Sequence, residues 1–381
     1  MTEIKKDYDY IILGAGASGL SLLHYLLAEP KTRSKKILLI DQSEKNANDR
    51  TWCFWEKEAG AFESLLTKKW SRLYFHSPAF SKLMDIGPYQ YKLLRSRDFY
   101  HYGHGLIKEH ANVTFLLDKV TVMDKDRVNT ENGQYKASYI FNSVMYAFDI
   151  KPSSSHLLQH FKGWYISTKE EQFNPEKPVM MDFRIPQTDG CSFIYILPLS
   201  PTYALIEYTL FSETLLEKDA YDVFLQNYIS KEMGIKDFEI KEREFGIIPM
   251  SNAKLAKRKG KHIINIGTAG GNSKPSTGYT FRFIQKYCQT IVNNLALHRD
   301  PLHGTTSLIP KFKLFDSIFL RVLKDQKIPA WTIFNDLFSK LPPSVVLGFL
   351  DEDSHLWSDL RIMNAVNKPA FLKAALKEII P

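Results

Sequence analysis

Residues 9–24 constrain the fold more than any other stretch of the chain. An apolar run through Ile11, Ile12 and Leu13 reads as a buried strand, Gly14, Gly16 and Gly19 follow at Gly-x-Gly-x-x-Gly spacing, and Leu20, Leu23 and Leu27 recur at helical spacing. This is a strand, a tight turn and a helix. Gly14 allows the sharp turn, Gly16 lets a pyrophosphate approach bare backbone, and Gly19 lets the helix pack closely on the strand. The phosphates of a dinucleotide would sit at the positive N-terminal end of that helix.

Alone, such a fingerprint is a weak signal. Here a second apolar strand from Lys36 to Ile40 follows and ends in Asp41, and the fingerprint expects an acid roughly 20 residues beyond the glycines to hold a ribose hydroxyl. These parts in register predict a Rossmann-type α/β domain, and their place at the start of the chain favours bound FAD over NAD. A second glycine loop follows the strand His262 to Ile266, with Gly267, Gly270 and Gly271 leading to Thr277 and Gly278 and then to a helix predicted from about Thr280 to Leu297. Its small residues expose backbone N–H groups suited to a phosphate, a ribityl chain or a flavin ring. These five residues are the expected far half of a flavin site.

With 381 residues the chain can form two or three lobes. A net charge of +8 suits anionic membranes or nucleic acid, but the absence of zinc-ligand spacing, RNA-binding signature or basic–aromatic stripe argues against nucleic acid. The basic cluster Lys254, Lys257, Arg258, Lys259 and Lys261 reads either as a solvated loop or as a lipid-headgroup contact. Cys53, Cys191 and Cys288 are odd in number and far apart, which suggests neither a disulfide framework nor a metal site and fits a reducing compartment. Met1 to Tyr8 has no secretory character, and no run reaches the roughly 18 apolar residues of a spanning helix. A cytoplasmic protein that rests on a membrane rather than crossing it is expected. The aromatic share of 13% either fills cores or lines a cavity for a long apolar ligand.

Along the chain, Trp70 to Leu94 alternates and is broken at Pro78 and Gly87-Pro88, suggesting a hairpin in another sheet. A short helix is expected over Asp98 to Glu109, strands over Val113 to Leu117, Val120 to Met123 and Tyr139 to Asn142, and a polar junction over Ser153 to His156. Strands then dominate: Val179 to Arg184, and a hairpin of Ser192 to Leu197 with Ala204 to Leu210. Ser212 is placed to cap a helix from about Glu213 to Glu232, with Leu216, Ala220, Val223 and Phe224 on one face. From Lys311 onward the pattern is helical and aromatic.

In the hairpin strand Leu205-Ile206-Glu207-Tyr208-Thr209 a carboxylate interrupts an apolar run, and alternation puts Leu205, Glu207 and Thr209 on one face. Glutamate is costly to bury unless protonated or paired. If Glu207 faces a cavity, desolvation raises its pKa and holds a proton available to a general acid; on an edge strand it would lie in water. Asp182 is a second isolated acid, either a further acid of the site or a partner of Arg184.

Together these stretches resemble the flavin-dependent lycopene cyclases of carotenoid biosynthesis. The likeness runs through Gly14–Gly19, Thr51 to Phe54, Met181-Asp182, the hairpin with Pro198 and Glu207, and the loop from Lys274 to Tyr279. The resemblance implies a flavoprotein-hydroxylase-like architecture, with a discontinuous FAD-binding domain over residues 1–70, 95–150 and 246–299, a substrate-binding sheet domain over 71–94 and 151–245, and a helical region over 300–381. It implies acid-catalysed, non-redox closure of the ends of lycopene to β-ionone rings, with Glu207 as proton donor and Asp182 at the site. Non-covalent reduced FAD, with NAD(P)H as electron donor, would stabilise the cation electrostatically. Departures are Tyr208, where family members often carry an acid, and Asn142-Ser143-Val144 with Gly267-Thr268 in place of the motifs of related aromatic hydroxylases. A flavin monooxygenase or isoprenoid reductase of the same fold, and a carotenoid-binding flavoprotein without turnover, are the alternative functions.

Overall fold

The computed structural model describes residues 4–145, 155–253, 255–305 and 310–379. The fingerprint forms β1 (Ile4–Leu13), α1 (Ala17–Ala28) and β2 (Ile37–Asp41). β3 (Thr51–Glu56), β4 (Lys68–Trp70), β5 (Arg72–His76), β6 (Ser81–Asp85) and β7 (Gln90–Arg95) lead to α2 (Ser96–Glu109). Then come β8 (Val113–Leu117), β9 (Val120–Asp124), β10 (Arg127–Thr130) and β11 (Gln134–Asn142). The next segment contains β12 (His156–Thr168), β13 (Val179–Asp182), β14 (Cys191–Ser200), β15 (Tyr203–Ser212), α3 (Lys218–Asn227) and β16 (Phe238–Ser251). β17 (Arg258–Lys259), β18 (Ile263–Asn265) and α4 (Phe281–Ala296) follow. The chain closes with α5 (Pro310–Asp325), α6 (Ala330–Lys340), α7 (Pro343–Leu350), α8 (Leu356–Ala365) and α9 (Lys368–Ile379).

One sheet is the dinucleotide-binding type, with the path β17-β18-β11-β1-β2-β8 and the β9–β10 ribbon appended. Its central pairs are parallel, which requires cover on both faces and explains the unbroken apolar runs. Ile12, Ile37 and Leu39 pack under α1 and α4, while Ile11, Leu13, Leu38 and Ile40 pack with Val120 and Val128. The second sheet runs β16-β12-β15-β14-β13-β5-β6. On one face Ile166, Ile206 and Tyr208 meet Tyr221 and Leu225 of α3; on the other Tyr165, Leu205 and Phe193 share a core with α5 to α8. A small sheet, β3-β7-β4, adjoins this second core through Trp55, Trp70, Tyr91 and Leu93. This is the expected α/β class with a Rossmann-type sheet, a second sheet and a helical C-terminal region.

Several elements differ from the sequence expectation. The hairpin between Trp70 and Leu94 is confined to β5 and β6, and residues 90–95 instead pair with β3. β15 runs on to Ser212 because β12 pairs with it that far, so Ser212 does not cap a helix. Its hydroxyl donates to the Thr214 carbonyl, and α3 begins only at Lys218. The buried face of α3 is Tyr221 and Leu225, whereas Val223 is exposed. Neither β10 nor the long strands β12 and β16 is evident from pattern. Of the polar junction, Ser153 and Ser154 lie outside the described residues, as does Lys254 of the basic cluster.

The second glycine loop is tied to the helical region by a buried cation. Lys274 is 2% exposed, and its Nζ lies 3.0 Å from both Asp316 of α5 and Glu352 just after α7. A buried lysine persists only if paired, and here two carboxylates pair it. Lys274→Met leaves those two carboxylates buried together and is expected to cost about 3 kcal/mol in urea unfolding. An unchanged midpoint would refute this role.

Candidate active site

Pairing register builds the site. In the second sheet Glu244 of β16 lies opposite Gly163 of β12, Gly163 opposite Glu207 of β15, and Glu207 opposite Tyr195 of β14. Side chains in such a row share one face of the sheet. The two glutamates are thus two strand spacings apart, about 10 Å between backbones, with a residue that has no side chain between them. A Cβ on Gly163 would come within 3.0 Å of Glu244 Cγ and 2.9 Å of Leu205 Cδ1. Gly163 therefore leaves the gap in which the carboxyl groups meet. β15 is an inner strand, so Glu207 does not lie on an edge in water.

Hydroxyls hold both ends of the pair. Thr209 Oγ1 donates to Glu207 Oε1 at 2.8 Å, and Thr51 Oγ1 donates to Glu244 Oε2 at 2.7 Å. Since the Thr51 proton is committed to the carboxylate, the Tyr165 hydroxyl, 2.7 Å away, donates to Thr51. Burial pushes the Glu207 pKa well above the ordinary value, and the negative charge of Glu244 pushes it further. Burial raises Glu244 too, but the Thr51 hydroxyl and the hydrogen bond with Glu207 oppose the rise. Both carboxyls are thus pushed toward their neutral forms, and the pair holds a proton between them. Glu244 is 3% exposed, and its Oε1 is an acceptor that a protonated Glu207 satisfies.

Glu207 opens onto a cavity of about 380 Å³. Gly16, Ala17 and Ser18 from the start of α1 line it, as do Thr51, Trp52 and Cys53 of β3 and Thr277, Gly278 and Tyr279 of the second glycine loop. A Cβ on Gly16 would meet nothing within 4 Å, so the backbone there is open to a ligand. Gly14 and Gly19 are pressed together beneath the turn, while Gly267 and Gly270 abut Ser18 and the Asn265 carbonyl. They shape the walls without lining the cavity. Gly271, in left-handed conformation, ends the short turn Gly267–Gly270. Asp41 adjoins the fingerprint, accepting the Ala15 N–H at 2.7 Å and the Ser43 N–H at 2.8 Å. Each of its oxygens keeps further acceptor capacity.

A second, apolar cavity of about 410 Å³ lies beyond Tyr195, Thr277 and Tyr279, which line both cavities. Trp55, Met181, Phe334 and Phe338 are among its walls. Trp55 meets Tyr279 edge-on at 4.5 Å, and the Tyr195 and Tyr279 hydroxyls are 3.5 Å apart.

The structure does not bring Asp182 to this site. Asp182 pairs with Ile194, one residue out of step with the Tyr195–Glu207 row, and lines neither cavity. Its carboxylate takes two bonds from the Arg184 guanidinium, at 2.9 and 2.7 Å, and one from the Tyr228 hydroxyl. The guanidinium and backbone N–H of Arg184 hold its pKa below the usual value despite burial, so it is ionised and anchored. Glu244 is the residue that sequence pattern missed. It sits in Lys241-Glu242-Arg243-Glu244, a charged run that reads as a solvated edge, and the available signal was the alternation Glu242, Glu244, Gly246 on one face. Among the described residues no cluster could hold a metal ion.

Comparison with known proteins bears on this arrangement. A family described as Lycopene cyclase protein matches residues 9–376. The chain belongs to the lycopene cyclase family. The lycopene beta-cyclase of Paracoccus sp. (strain N81106 / MBIC 01143) is 26% identical over 298 residues, covering 74% of this chain and 73% of that one. The lycopene beta-cyclase of Pantoea ananas is 25% identical over 395 aligned positions, covering 99% of each. A solved flavoprotein/dehydrogenase from Cytophaga hutchinsonii has a TM-score of 0.67 at 11% identity, covering 98% of this chain and 100% of that one. At such identity the likeness concerns the fold, which is that of flavoproteins. In this member of the lycopene cyclase family, the hairpin glutamate and the loop of residues 274–279 that carry the sequence resemblance meet at one cavity.

The protonation state of Glu207 has a thermodynamic signature. Because its folded pKa lies above the unfolded value of about 4.3, its contribution to stability is complete below that value and is lost as pH rises toward the folded pKa. Thermal midpoints of the wild type should therefore fall relative to Glu207→Gln as pH rises above the ordinary glutamate range. A gap independent of pH would mean that Glu207 is ionised in the folded protein.

Proposed function

We propose that this chain is a lycopene β-cyclase, an isomerase that closes the ends of lycopene to β-ionone rings, through γ-carotene to β-carotene, with no net redox change. The observation that carries the reading is Glu207, placed across Gly163 from Glu244 and facing a cavity, where burial and the neighbouring charge push it toward its neutral form. A carboxylic acid kept neutral near neutral pH is what protonation of an alkene requires.

Glu207 gives its proton to the terminal double bond, forming a C–H bond and a carbocation. The cation closes onto a neighbouring double bond, and loss of a proton from carbon leaves the ring. Donation makes the carboxyl pair a dianion. Two like charges so placed do not both stay ionised, so the pair recovers a proton for the next cycle. Thr209 and Thr51 hold the two carboxyls throughout. Tyr195 and Tyr279 present aromatic surface between the two cavities, with Trp55 beside them on the apolar side, favourable to a cation and unfavourable to water. The ion pair of Asp182 with Arg184 fits an anchor of the sheet better than a second acid.

The first cavity fits non-covalent FAD. Gly16 is open, no side chain caps the first turn of α1, and Gln159 Oε1 beside Gly278 is a buried acceptor with no donor among the described residues. Gly16, Ala17 and Ser18 would take the pyrophosphate, Asp41 a ribose hydroxyl, and Thr277 and Gly278 the flavin end. When bound, reduced FAD, kept reduced by NAD(P)H, supplies negative charge near the cationic centre.

Two experiments test this. In lycopene-producing cells, the wild type should yield a cyclic pigment of unchanged mass and Glu207→Gln should lower its yield at least about 100-fold. Ring formation by the Gln variant at the wild-type level would end the assignment, and a mass gain would mark oxygenation or reduction. Gly16→Val should leave the melting temperature of the flavin-free protein unchanged, because the new side chain enters open space, yet remove the flavin absorption of the purified protein. Full retention of flavin would refute the fingerprint site.

A further inference from the structure

Among the described residues, no helix is long and apolar enough to cross a membrane, yet the last two helices carry unpartnered apolar faces. On α8 Leu356, Leu360 and Met363 recur at helical spacing, with Trp357 beside them; on α9 Leu372, Leu376 and Ile379 do the same. Trp357 is 79% exposed and Leu372 65%. Seven large apolar side chains are thus exposed on two consecutive helices, and exposed apolar faces of this kind mark interaction surfaces.

The chemistry of the partner follows from two further observations. First, the patch borders the mouth of the apolar cavity: Met363 and Leu372 are exposed outside and also line it. Second, the exposed charges left on the two helices are basic. Arg361, Lys368 and Lys373 are exposed on α8 and α9, Lys377 is paired with Asp325, and the acids of those helices are consumed, Asp359 buried against Lys311 and Glu378 paired with Arg321. Lys373 faces Lys327 and disfavours its ammonium. An anion would relieve that repulsion. The basic cluster near residue 258 does not compete for this role, since Arg258 is held by Asp300 and the Lys257 ammonium by the Thr305 carbonyl.

We propose that the exposed faces of α8 and α9 dock onto an anionic lipid bilayer and open the apolar cavity directly to its hydrocarbon. The apolar stripes enter the acyl boundary, the lysines meet the headgroups, and Trp357 sits at the interface. Passage of the substrate through water is thereby avoided, a consequence that rests on the proposed polyene substrate, whereas the docking itself does not.

The test is co-sedimentation of the purified protein with vesicles of equal parts phosphatidylglycerol and phosphatidylcholine. Wild type should bind, and Trp357→Glu with Leu376→Glu, at two exposed positions outside the cavity lining, should lower the partition coefficient roughly tenfold or more with an unchanged far-UV spectrum and melting temperature. Lys327→Glu with Lys373→Glu should weaken binding to these vesicles and leave binding to pure phosphatidylcholine unaffected. Wild-type failure to bind, or equal binding by the Trp357/Leu376 variant, overturns the surface. So does a concentration-dependent dimer abolished by that variant, which would assign the faces to a second copy. Cyclisation of detergent-dispersed lycopene by wild type separates the outcomes: activity without vesicle binding rejects only the docking surface, and binding without activity rejects only the cyclase reading.

Discussion

Two carboxyl groups buried against one another cannot both be charged, and the centre of this protein is arranged around that constraint. Glu207 and Glu244 come from strands that are not neighbours, and they meet only because Gly163 on the strand between them has no side chain. Burial raises both, and a threonine hydroxyl supports each. An isolated glutamate on the same strand would gain a raised pKa from burial alone. The pair adds a built-in reason to take a proton back.

The second dependence is spatial. A polar cavity containing the fingerprint and an apolar cavity within the helical region share only Tyr195, Thr277 and Tyr279 among their lining residues. On the proposed reading the cofactor occupies the polar cavity and the polyene the apolar one, and the end of the polyene passes Tyr195 and Tyr279 to reach Glu207 in the wall of the polar cavity. The buried Lys274, paired with Asp316 and Glu352, couples the glycine loop of one compartment to the helices of the other.

Much of the fold was legible because it rests on local pattern. The parallel strands β1 and β2 are buried on both faces and read as apolar runs, and α1, α2 and α4 carry clear helical periodicity. The expected Glu207 face was also correct, with Leu205 and Thr209 beside it, since alternation along a strand is independent of neighbours. The misreadings have one origin. β12 mixes Gln159, His160 and Lys162 into its buried run, β16 is rich in charge, and β15 continues to Ser212 because of its partner. In each case pairing across the sheet overrode a local signal.

The sequence by itself determined that this chain would build a Rossmann-type sheet, carry an acid on a hairpin strand and resemble the lycopene cyclases, because glycine spacing, strand alternation and short motifs are properties of contiguous residues. Only the tertiary structure decided that Asp182 would spend its charge on Arg184 and Tyr228, and that Glu244 would stand across Gly163 from Glu207. A charge's environment is made by residues far away in the chain, 37 positions in the case of this pair, and desolvation and like-charge repulsion act only once the sheet has brought them together.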